Sequence, residues 1–220
     1  GTDENGFDVF SRLVHGARAS LGAALAAVTF ALLIGVPLGL YSGWYTGLVD
    51  STIMRAVDVM LAFPSVLLAI AIAAALGGGS IETVVLAVGA VMVPRFIRQV
   101  RAAVLQVKHH DYVMAAKALG ATDRRILFRT VLPNCIAPIL ILATLSIGLA
   151  ILDAAGLSFL GLGPPASSPE WGVMLRKGVR YLERQEQWLV LPPGIAIALT
   201  VLGFNLLGDG LRDAFDPKRS

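Results

Sequence analysis

The sequence predicts an all-α membrane protein: a polytopic bundle of about five transmembrane helices with a structured helical loop between spans. Three observations predict it. The 220 residues are 56% hydrophobic and only 15% charged, against roughly 45–50% and 25% in soluble domains. Mean hydropathy is +0.74. Four uncharged stretches reach the roughly 20 residues that a helix needs to cross a bilayer, and the basic residues sit between those stretches.

The stretches run Ala19 to Val49, Val59 to Ile81, Thr130 to Leu152 and Gln187 to Gly208. Each is expected to be helical, because hydrocarbon offers no partner to an unpaired backbone N–H or C=O. A fifth stretch, Thr83 to Pro94, is too short alone. It crosses if its helix runs on past Pro94, with Arg95, Arg98 and Arg101 drifting around one side and snorkelling to the interface. Small residues crowd the spans: Gly22, Ala23, Ala24, Ala26, Ala27 and Ala31 in the first, Ala69, Ala71, Ala73, Ala74 and Ala75 in the second. Such residues let membrane helices approach closely. Pro37, Pro64, Pro94 and Pro138 are expected to kink their helices.

Five crossings put the termini on opposite sides. One set of loops holds Arg55, Arg95, Arg98, Arg101, Lys108, Lys117, Arg124, Arg125, Arg129, Arg212, Lys218 and Arg219; the other holds only Arg12, Arg18, Arg176, Lys177, Arg180 and Arg184. The positive-inside bias places the first set in the cytoplasm, so the N-terminus is outside and the C-terminus inside. The opening Gly1-Thr2-Asp3-Glu4-Asn5 lacks the basic start of a signal peptide. An external N-terminus without one implies a missing preceding span. The formal charge of +3 reads as loop charge at a membrane surface, not as a nucleic-acid footprint. The single cysteine, Cys135, excludes an internal disulfide and reads as a small residue near a helix end.

The segment 111–133 is the most structured loop. Tyr112 to Leu119 is a short run of good helix formers. Gly120 stands where a helix stop needs a left-handed residue, Thr122 can cap a second helix, and Asp123 suits that helix's positive end. The second helix then runs through Ile126, Leu127 and Phe128 into the bilayer. A helix–glycine–helix elbow with Ala115 and Ala116 on a flat face suits docking into a partner groove. It equally suits an amphipathic helix lying on lipid.

The elbow followed by Val131-Leu132-Pro133 resembles the cytoplasmic loop of ABC importer permeases. Ala115, Ala116, Gly120, Leu132 and Pro133 match that pattern, while Met114 replaces its Glu and Thr130 its Ile. The lost Glu removes a charge that could contact an ATPase. Three further runs are similar to the dipeptide/oligopeptide/nickel class. The first is Gly1-Thr2-Asp3, Gly6, Asp8-Val9, Ser11-Arg12, Gly16-Ala17-Arg18 and Ser20-Leu21, with Phe7 where an Arg is usual. The second is Leu157 to Gly163 followed by Trp171 to Leu175. The third is Asn205, Leu207-Gly208-Asp209, Leu211-Arg212-Asp213 and Asp216-Pro217.

The resemblance implies a type I ABC importer permease fold: one transmembrane domain over 1–220, a cytoplasmic coupling loop at 111–133 and an external loop at 156–186. It implies a plasma-membrane transport subunit that is not an enzyme. Implied partners are a homologous second permease, two ABC ATPase subunits and an extracytoplasmic solute-binding protein. ATP and Mg would be bound by the ATPase partners, and this chain would hold no cofactor or metal. Coupling residues would be Tyr112, Met114, Ala115, Ala116, Gly120, Ala121, Leu132 and Pro133. Peptides are the expected cargo, with nickel, glutathione or another small solute as the alternative.

Asp153, near the outer end of a span, is a candidate path residue that could meet a peptide amino terminus or a metal ion. The preferred reading is an interfacial Asp paired with an external-loop Arg. Asp58 and Asp209 fall near span ends and read as solvated or paired, and Glu82 suits a helix start. The external loop, with Pro164, Pro165, Pro169, Trp171, Tyr181 and nearby Trp188, reads either as an aromatic belt or as a docking surface. An intramembrane enzyme has no support: there is no H-E-x-x-H pair, no G-x-S-x-G elbow and no Walker A loop, and His109-His110 point apart on a helix. A channel has none either, since no filter-like sequence or acidic ring occurs in a span.

Overall fold

The computed structural model describes residues 1–3, 5–181 and 187–215. These residues are nearly all helical, and the β structure among them is one isolated bridge between Thr2 and Asp8. Glu4, Arg184, Glu186, Asp216, Pro217, Lys218 and Arg219, which entered the readings above, lie outside the described residues.

Helix α1 (Val9–Trp44) opens where the Asp8 carboxylate accepts the Ser11 N–H at 2.7 Å. At about 1.5 Å per residue it is about 54 Å long, well beyond the roughly 30 Å apolar core of a bilayer. Its long partner is α4 (Ile81–Val107), capped by Ser80, which accepts the Thr83 N–H, with Glu82 in the first turn. The two helices touch through glycine. A Cβ built on Gly35 would lie 2.5 Å from the Cβ of Phe96. The same test brings Gly39 to 2.7 Å from Val100 and Gly43 to 2.7 Å from Val104. Gly89 of α4 answers in kind, lying against the Ala27 carbonyl and Phe30. The repeat of four on both helices packs one ridge against another. The residues that meet rise together along both chains, so α1 and α4 are parallel.

A parallel pair needs a return, and α2 (Leu48–Leu61) with α3 (Ser65–Ala75) supplies it. The stretch 59–81 is therefore not the single straight span expected of it: α2 and α3 meet at 94°. Pro64 explains the break. It has no N–H to continue α2 and disfavours helical backbone at Phe63, and it sits extended at the head of α3. Pro37, Pro94 and Pro138, by contrast, lie inside continuous helices.

The arginines of α4 do not simply snorkel. Arg101 grips Asp50 of α2 through two hydrogen bonds, at 2.6 and 2.7 Å, and Ser42 of α1 donates to the same carboxylate. Arg98 pairs with Asp58 at 2.8 Å, largely in solvent, where such a pair contributes under about 1 kcal/mol. The half-buried Arg101 pair is the one that ties α2 to α4.

After the elbow described below, α7 (Leu132–Phe159) returns and ends at Gly161 (φ 93°), where the Leu162 N–H reaches back to the Leu157 carbonyl at 3.0 Å. The Leu162 carbonyl in turn accepts from Gly79 ahead of α4. The loop then folds onto α1. Arg12 donates to the carbonyls of Ser167 and Ser168, and Gly16 leaves no room for a Cβ beneath the Pro169 carbonyl.

Glu170, only 2% exposed, caps α8 (Trp171–Val179) by accepting the N–H groups of Gly172 and Val173, and it also accepts the Ser20 hydroxyl. Trp171 is not part of an interfacial belt. It is buried, and its indole N–H donates to the Leu13 carbonyl. Helix α9 (Leu191–Phe215) lies antiparallel on α7, with Gly148 beside Val201 and Asn205, and Gly208 beneath Leu145.

By length and composition α1, the run Asp123–Phe159 and the run Gln187–Phe215 suit a membrane, and the bent α2–α3 pair makes a fourth candidate. α4, with its three arginines, is not among them, although it runs unbroken past Pro94. Gly39→Leu is expected to push α1 off α4 and cost at least about 2 kcal/mol, seen as a lower melting temperature in detergent. Gly22→Leu, where nothing lies within 4 Å, is expected to leave it unchanged.

Candidate functional site: the elbow between the fourth and seventh helices

The elbow is a helix–turn–helix built on its own small core. Helix α5 (Asp111–Ala118) follows α4 after a three-residue turn. Residue for residue, α5 has one buried side chain, Val113. Val113 joins Leu40 and Trp44 of α1, Val100, Val104 and Val107 of α4, and Ile126, Leu127, Val131 and Cys135 beyond the turn. Ala116, Ala121 and Leu132 pack at the margin of that cluster. The elbow is thus fastened to the same end of the α1–α4 pair, not hung from it.

Two cations reinforce the joint. Lys108 donates to the Trp44 carbonyl at 2.6 Å, and Lys117 of α5 sits 4.6 Å over the Trp44 ring. His110 and Tyr112 stack at 5.3 Å.

Gly120 makes the corner. Its φ is +77°, the left-handed region that costs other residues about 1–2 kcal/mol. The Ala121 N–H reaches the Ala116 carbonyl at 3.1 Å, and the Gly120 N–H reaches Lys117 at 2.9 Å. These paired bonds satisfy the last carbonyls of α5. Helix α6 (Asp123–Ile126) starts at once. Thr122 holds the N-cap position expected of it, but its hydroxyl makes no cap bond.

The entry into α7 is not regular α-helix. Residues Leu127–Val131 form a π turn, in which the Leu132 N–H bonds to the Leu127 carbonyl five residues back. Pro133 gives the reason. In an α-helix its ring would strike the Arg129 carbonyl, and it has no N–H to offer. Widening the turn by one residue relieves the clash, and the Asn134 side-chain amide donates to the Thr130 carbonyl at 2.6 Å. The Leu132-Pro133 pair thus shapes the junction between elbow and span.

The opposite face of the elbow has no cover. Tyr112 is 44% exposed, Met114 61% and Leu119 87%. Ala115 and Gly120 lie open beside them, while Ala116 is half-buried. Of the residues singled out in the sequence, Tyr112, Met114, Ala115 and Gly120 therefore share the outer surface. Ala116, Ala121 and Leu132 belong to the inner one, and Pro133 acts at the hinge. Leu119 is the outer residue that sequence reasoning passed over; its place one residue before the left-handed glycine was the available signal.

Asp153 lies elsewhere, half-buried on α7 and away from the elbow. It forms no ion pair among the described residues, which include Arg176 and Arg180 of the external loop. No cluster of metal-ligating side chains occurs among the described residues.

Residues 35–220 match the family described as the binding-protein-dependent transport system inner membrane component. The chain belongs to that family. It is a transport subunit, not an enzyme. It is 51% identical over 218 residues to the dipeptide transport system permease protein DppC of Alkalihalophilus pseudofirmus, covering 99% of this chain and 71% of that protein. The di/tripeptide permease DppC of Pseudomonas aeruginosa matches at the same identity and coverage. The glutathione transport system permease protein GsiD of Pectobacterium atrosepticum is 46% identical over 223 residues, covering 99% and 72%.

The fold matches a chain of the MetNI methionine ABC transporter in an inward-facing conformation. The TM-score is 0.78 at 17% identity, covering 98% of this chain and 100% of that one. The architecture is therefore that of a type I ABC importer permease.

The corner's cost is purely conformational, since nothing lies within 4 Å of Gly120. Gly120→Val is accordingly expected to destabilise by about 1–2 kcal/mol or more and Gly120→Asn by clearly less, because Asn tolerates the left-handed region. Proteolysis rates of the elbow in the two variants check this order.

Proposed function

We propose that this chain is one half of the membrane path of an ATP-driven importer for di- or oligopeptides, and that the elbow couples that path to ATP hydrolysis. The observation that carries the reading is the outer face of α5. It leaves Tyr112, Met114 and Leu119 exposed around a sharp corner, while Val113 on the inner side is held to the bundle by a dedicated core. A helix that only rested on lipid would not need its inner side welded to α1, α4 and α7.

In this reading the elbow end faces the cytoplasm, in line with the excess of Lys and Arg there. The N-terminus lies outside and the C-terminus inside. A homologous second permease forms the other half of the path, two ATPase subunits dock on the two elbows, and a binding protein delivers cargo to the opposite end. ATP and Mg reside on the ATPases. Tyr112, Met114, Ala115 and Gly120 form the contact, Ala116 and Ala121 seat it, and Leu132 and Pro133 pass its motion into α7. Closing of the ATPase pair rocks the elbow and with it the flanking spans. The coupling is reciprocal, so the loaded binding protein favours the closed ATPase pair. Peptide cargo rests on the dipeptide permeases at 51% identity. Asp153 on α7 is the candidate to meet a peptide amino terminus along the path, as an ionisable group within a span.

Gentle purification from native membranes tests the assembly. The unaltered chain is expected to bring a homologous permease and Walker A ATPases with it. Leu119→Glu and Gly120→Trp are expected to lose the ATPases and keep the permease. A chain that arrives alone, or variants that keep every partner, would contradict the reading. In proteoliposomes, Asp153→Asn is expected to lower peptide uptake while leaving ATPase binding intact; unchanged uptake would remove Asp153 from the path.

A further inference from the structure

The side of the elbow that leads into α7 carries an open cleft next to the coupling face. Its volume is about 530 Å³, and its walls are Thr122, Arg124, Arg125, Phe128 and Arg129. All five residues are exposed. None of the three arginines has an ion pair with any described residue, and Asp123, adjacent in sequence, reaches none of them. Three unneutralised guanidinium groups within six residues repel one another. An anion between them would remove that cost, and guanidinium forks match a phosphate in geometry.

The position narrows the source of the phosphate. The arginines stand on α6 and the π turn, within two turns of the start of the most apolar run of the chain, whose mean hydropathy reaches 2.5. Phe128, 44% exposed, lies between them. Ile136 and Leu140 leave further apolar surface open along the helix leading away from the cleft. Cations at one level with aromatic and aliphatic surface beyond them match a lipid headgroup and its chains. The ATPase of the proposed assembly would instead meet the exposed apolar side chains of Tyr112, Met114 and Leu119.

We propose that this cleft binds the phosphate of an anionic phospholipid at the membrane surface, with Arg124, Arg125 and Arg129 as donors and the Thr122 hydroxyl beside them. The site rests on the reading that puts the elbow at the bilayer surface of an assembled importer. Because Arg125 and Arg129 also line the space beside Ala116, Leu119 and Gly120, a lipid held there braces the elbow alongside the face proposed to meet the ATPase.

Native mass spectrometry of the purified importer, titrated with phosphatidylglycerol or with phosphatidylcholine, tests the site and counts protein subunits in the same spectra. The unaltered complex is expected to retain phosphatidylglycerol preferentially. An Arg125→Gln/Arg129→Gln double variant is expected to bind it about twenty-five-fold more weakly, about fivefold per basic group removed, with its subunits unchanged. The corresponding double Lys variant is expected to recover most of the binding, which separates lost charge from misfolding. Equal retention of the two lipids, or a Gln variant that binds like the parent, overturns the proposal. So does a Gln variant that sheds its ATPases while keeping the lipid, since that outcome makes the cleft a protein-docking site. A complex lacking partner subunits that still shows the lipid preference would refute the importer reading and leave the lipid site standing.

Discussion

Everything at the elbow end depends on how closely α1 approaches α4. In water two helices meet because apolar surface leaves solvent; in lipid that drive is absent, and dispersion over a close contact must replace it. Gly35, Gly39 and Gly43 make the contact close. Each removes the Cβ that would strike Phe96, Val100 or Val104, and backbone carbonyls of α4 come within van der Waals reach of α1. Since these helices are parallel, the contact also dictates topology: the chain must return between them, and the broken α2–α3 pair is that return.

The elbow extends the same frame. Trp44 closes α1 just past the last ridge glycine and receives Lys108 on its carbonyl and Lys117 on its ring, so the end of one helix organises the approach to the next. Val113 anchors α5 to that group. Arg101, two turns before Lys108, holds α2 through Asp50. The result is a surface feature that follows the frame when pushed. Only the π turn before Pro133 interrupts regular helix on the way into α7, and it is the joint at which elbow and span can change angle.

Much of this was legible in the sequence, for reasons that are themselves local. Long uncharged runs mark helices because lipid admits little else. Gly120 marks a corner because few other residues accept its backbone, and the spacing from Ala115 to Pro133 resembled the right family. What was hidden depended on which face meets which. The small residues at 22–31 do include the buried Ala24, Ala27 and Ala31, yet nothing lies within 4 Å of a Cβ built on Gly22, and the tightest α1–α4 approach lies at 35–43. Hydropathy reads Val59 to Ile81 as one run because it weighs composition, and Pro64 redirects the backbone without lowering the score much. Trp171 looked interfacial by residue type, but Ser20, distant in sequence, accepts its backbone N–H and donates to the neighbouring Glu170, building it a buried seat. Glu170 itself was invisible as a buried carboxylate, since its partners are backbone N–H groups and carry no sequence signature.

The central claim is that the elbow moves as one body with the α1–α4 pair to which Val113 fastens it. Spin labels on Leu33 of α1, Gln99 of α4 and Leu119 of the elbow, with Cys135 replaced by Ala, would report it in the assembled transporter. The account predicts that the three distances among these sites stay the same with and without bound ATP. If the Leu119–Gln99 distance shifts by a helical turn or so, about 5 Å, while the Leu33–Gln99 distance holds, the elbow is a loose appendage and the account fails.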